Sequence, residues 1–424
     1  MEVSVVVPTT RPQLLGDALQ SIEKQTYLPF ETLISDNSDD GCFAEAEASN
    51  LRSLRVYRPE SYLDVCSSWD YAVSKAEGEW VVILCDDDIL VPCALSVLCD
   101  LTKSFPNVEA IRWQHVEFAD NSVLGNSFVP AIEFFDSAML RQGMFESGSG
   151  KFGLKQILPT FPLLAVKKSV LNRVRAKTGG KLFFPLCPMT SGAFGILECT
   201  KSVCVINLPL TVLRFTQDSA SNITVNPSVA LKMQGGTEII YAPIKSKSIF
   251  PAGSLEALLR CSEAVNSPMK SHLDMSRFFL HCNYFISLHD KQGEKQYLSW
   301  NEFDRALSVQ PIKVRMKYYV YVVLYLGSLL MPMRYFRLVF RKIKKSLQTG
   351  GAHTVGIELN SLDDATHGEV VRFSDSLNTA LLFAWRVPPY CSNPSVVGMR
   401  KLRTLRLSWL FRYPVDFCLT IRLR

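Results

Sequence analysis

The sequence predicts an α/β protein with an open, mainly parallel sheet and a mainly helical C-terminal extension. Strand and helix patterns alternate over about the first 105 residues. One predicted strand, 80–85, is apolar throughout, as expected for a strand buried on both faces of a sheet. Apolar residues make up 47% of the 424 residues and charged residues 20%, which excludes a disordered chain.

The elements of this sheet follow one another in a regular order along the chain. Apolar and β-branched runs predict the strands, and apolar residues spaced by three and four positions predict the helices. The predicted strands are 3–7, 30–35, 53–58, 80–85, 110–118 and 203–215, with a strand-to-helix step over 163–175. The predicted helices are 11–25, 67–76 and 92–104, and most of 228–310 has helical patterns with breaks.

These patterns divide the chain into four regions. Residues 1–225 form the α/β domain and residues 226–312 a helical accessory region. Residues 313–348 form an apolar and basic segment, and the role of residues 349–424 is not indicated by their sequence.

The charge of the chain is distributed unevenly. Residues 1–100 contain 6 Lys/Arg and 18 Asp/Glu, whereas residues 101–424 contain 40 and 22. The acidic front part argues against nucleic-acid binding, and the basic remainder indicates an anionic partner, either a phosphorylated ligand or a membrane surface. The first residues lack a basic n-region before an apolar run, so we expect a cytoplasmic protein.

Residues 313–345 are a candidate membrane-association segment. They contain nine Lys/Arg and no acid. The uncharged run 318–333 is shorter than the roughly 20 residues that a spanning helix needs. Tyrosines beside a basic cluster suit peripheral contact with an anionic bilayer, and a buried helix with a solvated basic end is the alternative.

Three consecutive acids, Asp86, Asp87 and Asp88, directly follow the apolar strand 80–85. Ligands of open α/β sheets bind outside the carboxyl ends of such strands. Clustered carboxylates repel one another unless a cation lies among them, and oxygen ligands without His favour Mg²⁺ or Mn²⁺. A solvated acidic turn is the alternative interpretation.

Two further groups follow neighbouring strands. Asp36 ends the second strand, where its carboxylate could accept hydrogen bonds from a ribose or a base, or form only an Asx-turn. Pro8, Thr9, Thr10 and Arg11 end the first strand and open a helix, so they could meet a nucleotide or simply stop the strand and cap the helix. Together with the three acids, they predict a nucleoside-diphosphate pocket that holds a divalent metal.

Four stretches of this sequence carry a resemblance to a known family. They are 5–11 (VVVPTTR), 33–38 (LISDNS), 68–73 (SWDYAV) and 76–88 (AEGEWVVILCDDD). In this order, they resemble the family 2 glycosyltransferases of the GT-A fold, of the type that builds bacterial surface glycans. The resemblance is strong over about residues 3–100 and weaker to about 225.

The resemblance implies a nucleoside-diphosphate sugar donor, with a UDP- or dTDP-sugar expected, and a glycan or lipid-linked acceptor. Asp36 would hold the base or ribose, and Asp86 would contact the ribose or sugar as the first acid of a DXD-type motif. Asp88, with Asp86, would bind Mn²⁺ or Mg²⁺, and Asp87 would lie against the nucleotide sugar. The implied reaction is an inverting transfer in polysaccharide biosynthesis, by an enzyme that is cytoplasmic or peripheral at the inner face of the plasma membrane.

Inverting transfer needs a general base, and here the sequence departs from the family pattern. The matching region, 183–190, contains no carboxylate. Glu198, Asp218 and Glu146 are weak candidates, and Cys187 is another, so the base is unassigned. Two other hypotheses stay open: a catalytically impaired sugar-nucleotide-binding scaffold at the membrane, and a nucleotidyltransferase, whose usual Gly-rich first loop is absent here.

Overall fold

The structure is a computed structural model of the 424-residue chain. It describes residues 1–39, 41–42, 46–47, 49–51, 53–119, 122–124, 131–148, 157–215, 237–245, 250–291 and 300–330. Two compact units are present, one formed by Met1–Leu273 and one that begins at Asp274. Residues 217–222 and 349–424 lie outside the described residues, and the limits of the four predicted regions stay predictions.

The first unit contains one mixed sheet of ten strands in the order β3-β2-β1-β4-β9-β6-β10-β5, with β7 paired to β6 and β8 to β10. The strands are β1 Val3–Thr9, β2 Glu31–Asp36, β3 Leu54–Tyr57, β4 Trp80–Ile83, β5 Ile89–Leu90, β6 Ala110–Ala119, β7 Ser122–Leu124, β8 Ile132–Asp136, β9 Leu164–Lys167 and β10 Ser202–Phe215. Strands β1 to β4 pair in parallel, as do β6 and β10, whereas β9 runs antiparallel between β4 and β6. The predicted open α/β sheet is confirmed.

Helices flank this sheet and continue after it. Those of the first unit are α1 Leu15–Glu23, α2 Val65–Ser74, α3 Ala94–Ser104, α4 Ser137–Glu146, α5 Lys168–Thr178, α6 Pro188–Leu197 and α7 Phe250–Ala264. Those of the second unit are α8 Met275–Lys291, α9 Trp300–Ser308 and α10 Ile312–Leu330. The predicted helical extension is confirmed over these elements. The sequence analysis missed α4 and α6, and α6 is buried at every residue except Met189, so it has no amphipathic pattern to detect.

Parallel pairing brings the ends of three strands to one edge of the sheet. Thr9 of β1 pairs with Asp36 of β2, and Val6 of β1 pairs with Ile83 of β4. Two backbone hydrogen bonds extend this register past the strands: Asn37 N–H donates to the Thr9 carbonyl at 2.8 Å and Leu84 N–H to the Val6 carbonyl at 2.9 Å. The residues that follow β1, β2 and β4 therefore lie side by side.

A buried carboxylate holds the opposite edge of these strands. Glu31 of β2 is 1% exposed and accepts hydrogen bonds from the Ser4 hydroxyl, the Arg55 guanidinium and the backbone N–H of Glu77 and Gly78. Only glycine fits at position 78, because a Cβ there would lie 2.7 Å from Ser4 Oγ and 2.9 Å from Ser4 N. This contact fixes where β4 begins, and therefore where the acids after it lie.

Aromatic packing between α8, α9 and α10 stabilises the described part of the second unit. Phe279 of α8, Phe303 of α9 and Tyr318 of α10 form edge or tilted ring contacts, and Asn283 Nδ2 donates to the Tyr318 hydroxyl at 2.7 Å. Asp274 accepts hydrogen bonds from Lys317 and Tyr321 of α10. Among the described residues, none of the helices combines the length and the hydropathy required to cross a bilayer.

We expect Glu31→Ala to destabilise the first unit by about 3 kcal/mol, because it leaves buried donors without their acceptor. Urea denaturation of this variant, of a control variant and of the unchanged chain measures the difference in the free energy of unfolding. The control is Glu79→Ala, which removes a half-exposed carboxylate from the same end of β4 and should change stability by less than about 0.5 kcal/mol. Equal effects of the two substitutions would contradict a special role for Glu31.

Candidate functional site

Asp86 is held by groups from β1 at the edge where the parallel strands end. It is 3% exposed and accepts a hydrogen bond from the Thr9 hydroxyl at 2.7 Å. The Arg11 guanidinium forms an ion pair with it and lies 3.4 Å from an Asp87 oxygen. Burial acts to lower the pKa of Arg11, but Asp86 and Asp87 outweigh it and the pKa is raised. The sequence pattern therefore predicted correctly that Thr9, Arg11 and Asp86 lie together.

Asp87 and Asp88 form a candidate metal site with Cys85, the residue before Asp86. Ligand atoms of Cys85, Asp87 and Asp88 all lie within 4.8 Å of one another. Burial raises the pKa of Asp88 well above its usual range, and the neighbouring Asp87 carboxylate raises it further. Burial likewise raises the pKa of the Cys85 thiol, which keeps it protonated. A hard divalent cation would be bound by the two carboxylates and would offset their repulsion.

Arg214, near the end of β10, fixes the turn that carries these acids. Its Nε donates to the Asp87 carbonyl at 2.5 Å, and its backbone N–H donates to Asp88 Oδ1 at 3.3 Å. Its guanidinium also forms an ion pair with Asp17 of α1. Sequence reasoning missed this arginine, because it lies more than a hundred residues after the acids and no local motif marks it.

Asp36 is fully buried at the end of β2 and forms the Asx-type turn that was the alternative interpretation. Its Oδ1 accepts from the Ser38 backbone N–H at 3.0 Å and from the Ser38 hydroxyl, and Arg58 lies 3.3 Å from Oδ2. Asn37 exchanges two hydrogen bonds with the Leu63 backbone, which ties the start of α2 to this edge. The turn and the predicted binding role are compatible, because a carboxylate held in this way is oriented before a ligand arrives.

The start of α6 lies at the same edge. The Cys66 thiol, in the first turn of α2, donates to the Phe184 carbonyl at 3.0 Å. Cys187, which precedes the first residue of α6, is 2% exposed, and its Sγ lies 3.1 Å from the Thr190 hydroxyl. Leu186 has φ +79°, a left-handed conformation that costs an L residue about 1 kcal/mol or more. The buried Cys187 thiol thus lies in the region where the family resemblance places the carboxylate of the general base.

Of the other candidate bases, Glu198 does not lie with this group. Glu198 follows the last turn of α6, about 15 Å along the helix from its start. There it lies 3.5 Å from Arg141, accepts from Ser267 at 2.7 Å and lines a cavity of about 500 Å³ beside the start of β10. Glu146 is exposed at the end of α4, and Asp218 lies outside the described residues.

Comparison with known proteins identifies the domain that carries these groups. The family model described as Glycosyl transferase family 2 matches residues 4–116, a span that contains Thr9, Arg11, Asp36 and all three acids. The glycosyltransferase GlyG of Streptococcus pneumoniae serotype 4 is 28% identical over 189 residues, which cover 42% of this chain and 60% of GlyG.

Two further similarities are weaker. The uncharacterised protein y4gI of Sinorhizobium fredii is 23% identical over 172 residues, 34% of this chain and 18% of that protein. The chain thus spans 60% or less of the length of these two relatives. Among solved structures, S. aureus TarS 1-349 in complex with UDP-GlcNAc is 15% identical with a TM-score of 0.49, covering 83% of this chain and 93% of that chain.

The family match covers the strands that form the candidate site. The observed sheet, with β1, β2 and β4 in parallel and helices on its faces, agrees with the fold that the sequence resemblance implied. Residues 4–116 of this chain therefore match the glycosyl transferase family 2 model, and they lie in an open α/β sheet of the kind that the resemblance implied.

Proposed function

We propose that this protein is a metal-dependent glycosyltransferase that moves a sugar from a nucleoside-diphosphate sugar to a glycan or lipid-linked acceptor. The observation that carries the proposal is the convergence of Asp36, Arg11 and the acids 86–88 at one edge of the sheet, inside the segment that matches the family. The proposal includes a UDP- or dTDP-sugar donor, inversion at the sugar carbon and a role in surface polysaccharide synthesis. It also includes action in the cytoplasm, at the inner face of the plasma membrane.

The metal in this proposal is Mn²⁺ or Mg²⁺, held by Asp88 with help from Asp87. Asp86, which the sequence analysis also assigned to the metal, is already engaged by Thr9 and Arg11, and this favours a role for it at the ribose or sugar. The protonated Cys85 thiol is a poor ligand for either ion. When bound, the ion stabilises the negative charge of the departing nucleoside diphosphate as a Lewis acid.

The side chains around the metal position the donor. Asp36 accepts hydrogen bonds from the ribose or base, and its contacts with Ser38 and Arg58 keep its carboxylate in place. Pro8, Thr9 and Thr10 bring backbone close to the nucleotide, and Arg11 orients Asp86. Arg214 fixes the turn that carries Asp87 and Asp88 through its hydrogen bonds to both residues.

A second candidate function follows from the start of α6. Residues 183–190 contain no carboxylate, and Cys187 is buried among hydroxyl groups. A site that binds a sugar nucleotide but lacks a base would serve as a binding scaffold at the membrane. Donor binding is common to both functions, whereas turnover of the donor belongs only to the enzyme.

Hydrolysis of UDP- and dTDP-sugars, with and without Mn²⁺ or Mg²⁺, separates these functions. We expect metal-dependent release of the nucleoside diphosphate, which a chelator abolishes. Asp88→Asn should lower the rate by about 100-fold, because it removes a charged ligand from the metal. Glu79→Gln, at the other end of β4, should leave the rate unchanged.

A thermal-shift measurement on the same proteins completes this test. Stabilisation by a nucleotide sugar without turnover would support the scaffold and overturn the enzyme. Turnover by Asp88→Asn at the unchanged rate would contradict the assignment of the metal.

Substitution of Arg214 tests the positioning of the acids. Arg214→Ala removes the side-chain donor to the Asp87 carbonyl but keeps the backbone N–H that contacts Asp88. We expect the metal concentration for half-maximal activity to rise by about tenfold, which corresponds to one lost hydrogen bond to a charged group. Asp17→Asn, which alters only the exposed partner of Arg214, is the control, and an unchanged metal titration in Arg214→Ala would refute this role.

Cys187→Ala tests whether the thiol is the missing base. Because the thiol is buried and contacts Thr190, we expect the transfer or hydrolysis rate to stay within about threefold of the unchanged chain. A loss of several hundredfold at unchanged thermal stability would instead assign the base to Cys187.

A further inference from the structure

Over residues 312–323, the outward face of α10 is apolar. Five of its side chains are between 52% and 70% exposed: Ile312, Met316, Tyr319, Val320 and Val323. At 3.6 residues per turn, these positions fall within an arc of about 100° on one side of the helix. We call these five residues the α10 stripe.

The orientation of this helix is fixed by its inner face. Tyr318 is 4% exposed and packs against Phe303 of α9, and its hydroxyl accepts from Asn283 of α8. Ser276 donates to the Val314 carbonyl at 2.9 Å. The stripe therefore faces away from the helices with which α10 packs, and its exposure follows from how the unit folds.

Cationic side chains border the stripe on both sides. On a helical projection, Lys313 and Lys317 lie along one edge and Arg315 beyond the other. Lys317 forms an ion pair with Asp274 at 2.9 Å, whereas Lys313 is exposed to solvent. No acid occurs between positions 312 and 348, and six more Lys/Arg follow between 334 and 345.

This charge pattern distinguishes between possible occupants of the stripe. A second copy of the chain would bring two identical rows of cations together, which is unfavourable. The remainder of the chain, 331–424, contains 15 Lys/Arg and 6 Asp/Glu, so it is also cationic. An occupant with an apolar interior and an anionic surface matches both the exposed apolar stripe and the cations that border it.

We propose that the α10 stripe is a membrane-docking surface that enters the headgroup region of an anionic bilayer. The aliphatic side chains and Tyr319 would lie among the upper acyl chains, while Lys313 and Arg315 extend to lipid phosphates. An apolar face with flanking cations is the pattern of helices that lie in the plane of a membrane interface. The inference rests on the proposed function in one respect only: the purpose of membrane docking, which is to bring the enzyme to a lipid-linked acceptor.

Vesicle flotation of the full chain tests this surface. The vesicles contain phosphatidylcholine with phosphatidylglycerol, or phosphatidylcholine alone. The test variant is Ile312→Ser/Met316→Ser/Val323→Ser. The matched control is Leu28→Ser/Ile240→Ser, which changes equally exposed apolar side chains of the first unit.

We expect the unchanged chain and the control to float with the anionic vesicles. The test variant should bind these vesicles more weakly by a factor of about ten or more. Binding to neutral vesicles should be weaker, and added salt should weaken the binding to anionic vesicles. Equal thermal stability of all three proteins shows that the substitutions change only the surface.

Three outcomes would overturn the inference. They are no binding of the unchanged chain to anionic vesicles, equal binding of the test variant, and conversion of an oligomer to a monomer by the test variant in light scattering. The last outcome would assign the stripe to contact between copies of the chain. Donor hydrolysis, measured in parallel without vesicles, reports on the proposed function separately, because the stripe lies outside its residues.

Discussion

Burial of three successive carboxylates after β4 is the constraint on which this site depends. Such a cluster is stable only when other groups offset its charge and its loss of hydration. Arg11 from the end of β1 does so for Asp86, and Arg214 from the end of β10 contacts the turn of Asp87 and Asp88. Elements distant in sequence are therefore held at one edge by the same charges that would bind a ligand. At the opposite edge, Glu31 keeps β4 in register with β1 and β2.

In the proposed function, the acids have two separate tasks. Asp86 is neutralised within the protein, because Arg11 and Thr9 satisfy its oxygens. Asp88 is as deeply buried, and burial raises the pKa of both carboxyls. Arg11 and Thr9 oppose this rise at Asp86, whereas Asp87 adds to it at Asp88, so the ionised form of Asp88 gains more from a further cation. The structure thus favours a separation in which the first acid faces the sugar nucleotide and the last faces the metal. The buried Cys187 at the start of α6 is the point at which this chain departs from the expected chemistry.

The two units differ in the kind of partner that their surfaces suit. The first unit carries the acid cluster and contains the segment that matches family 2 glycosyltransferases. In the proposed function, this unit meets a phosphorylated donor through a metal. The described part of the second unit has an exposed apolar stripe on α10 with cations at its borders. The overall charge of +6 conceals this difference, because it sums an acidic binding domain and a basic remainder.

The order of strands and helices over the first hundred residues could be predicted from local sequence patterns, except for the short strand β5. The sequence by itself also determined the placement of Asp36, Arg11 and the acids 86–88 at successive strand ends, because apolar runs and turn residues act locally. It could not identify Arg214 as a partner of Asp87 and Asp88, because the pairing of β10 with β5 is set by tertiary packing. It also missed α6, which is buried at every residue except Met189 and therefore has no amphipathic pattern. Which face of α10 is exposed was decided by the packing of Tyr318 against Phe303, since the helix sequence is apolar over most of its length.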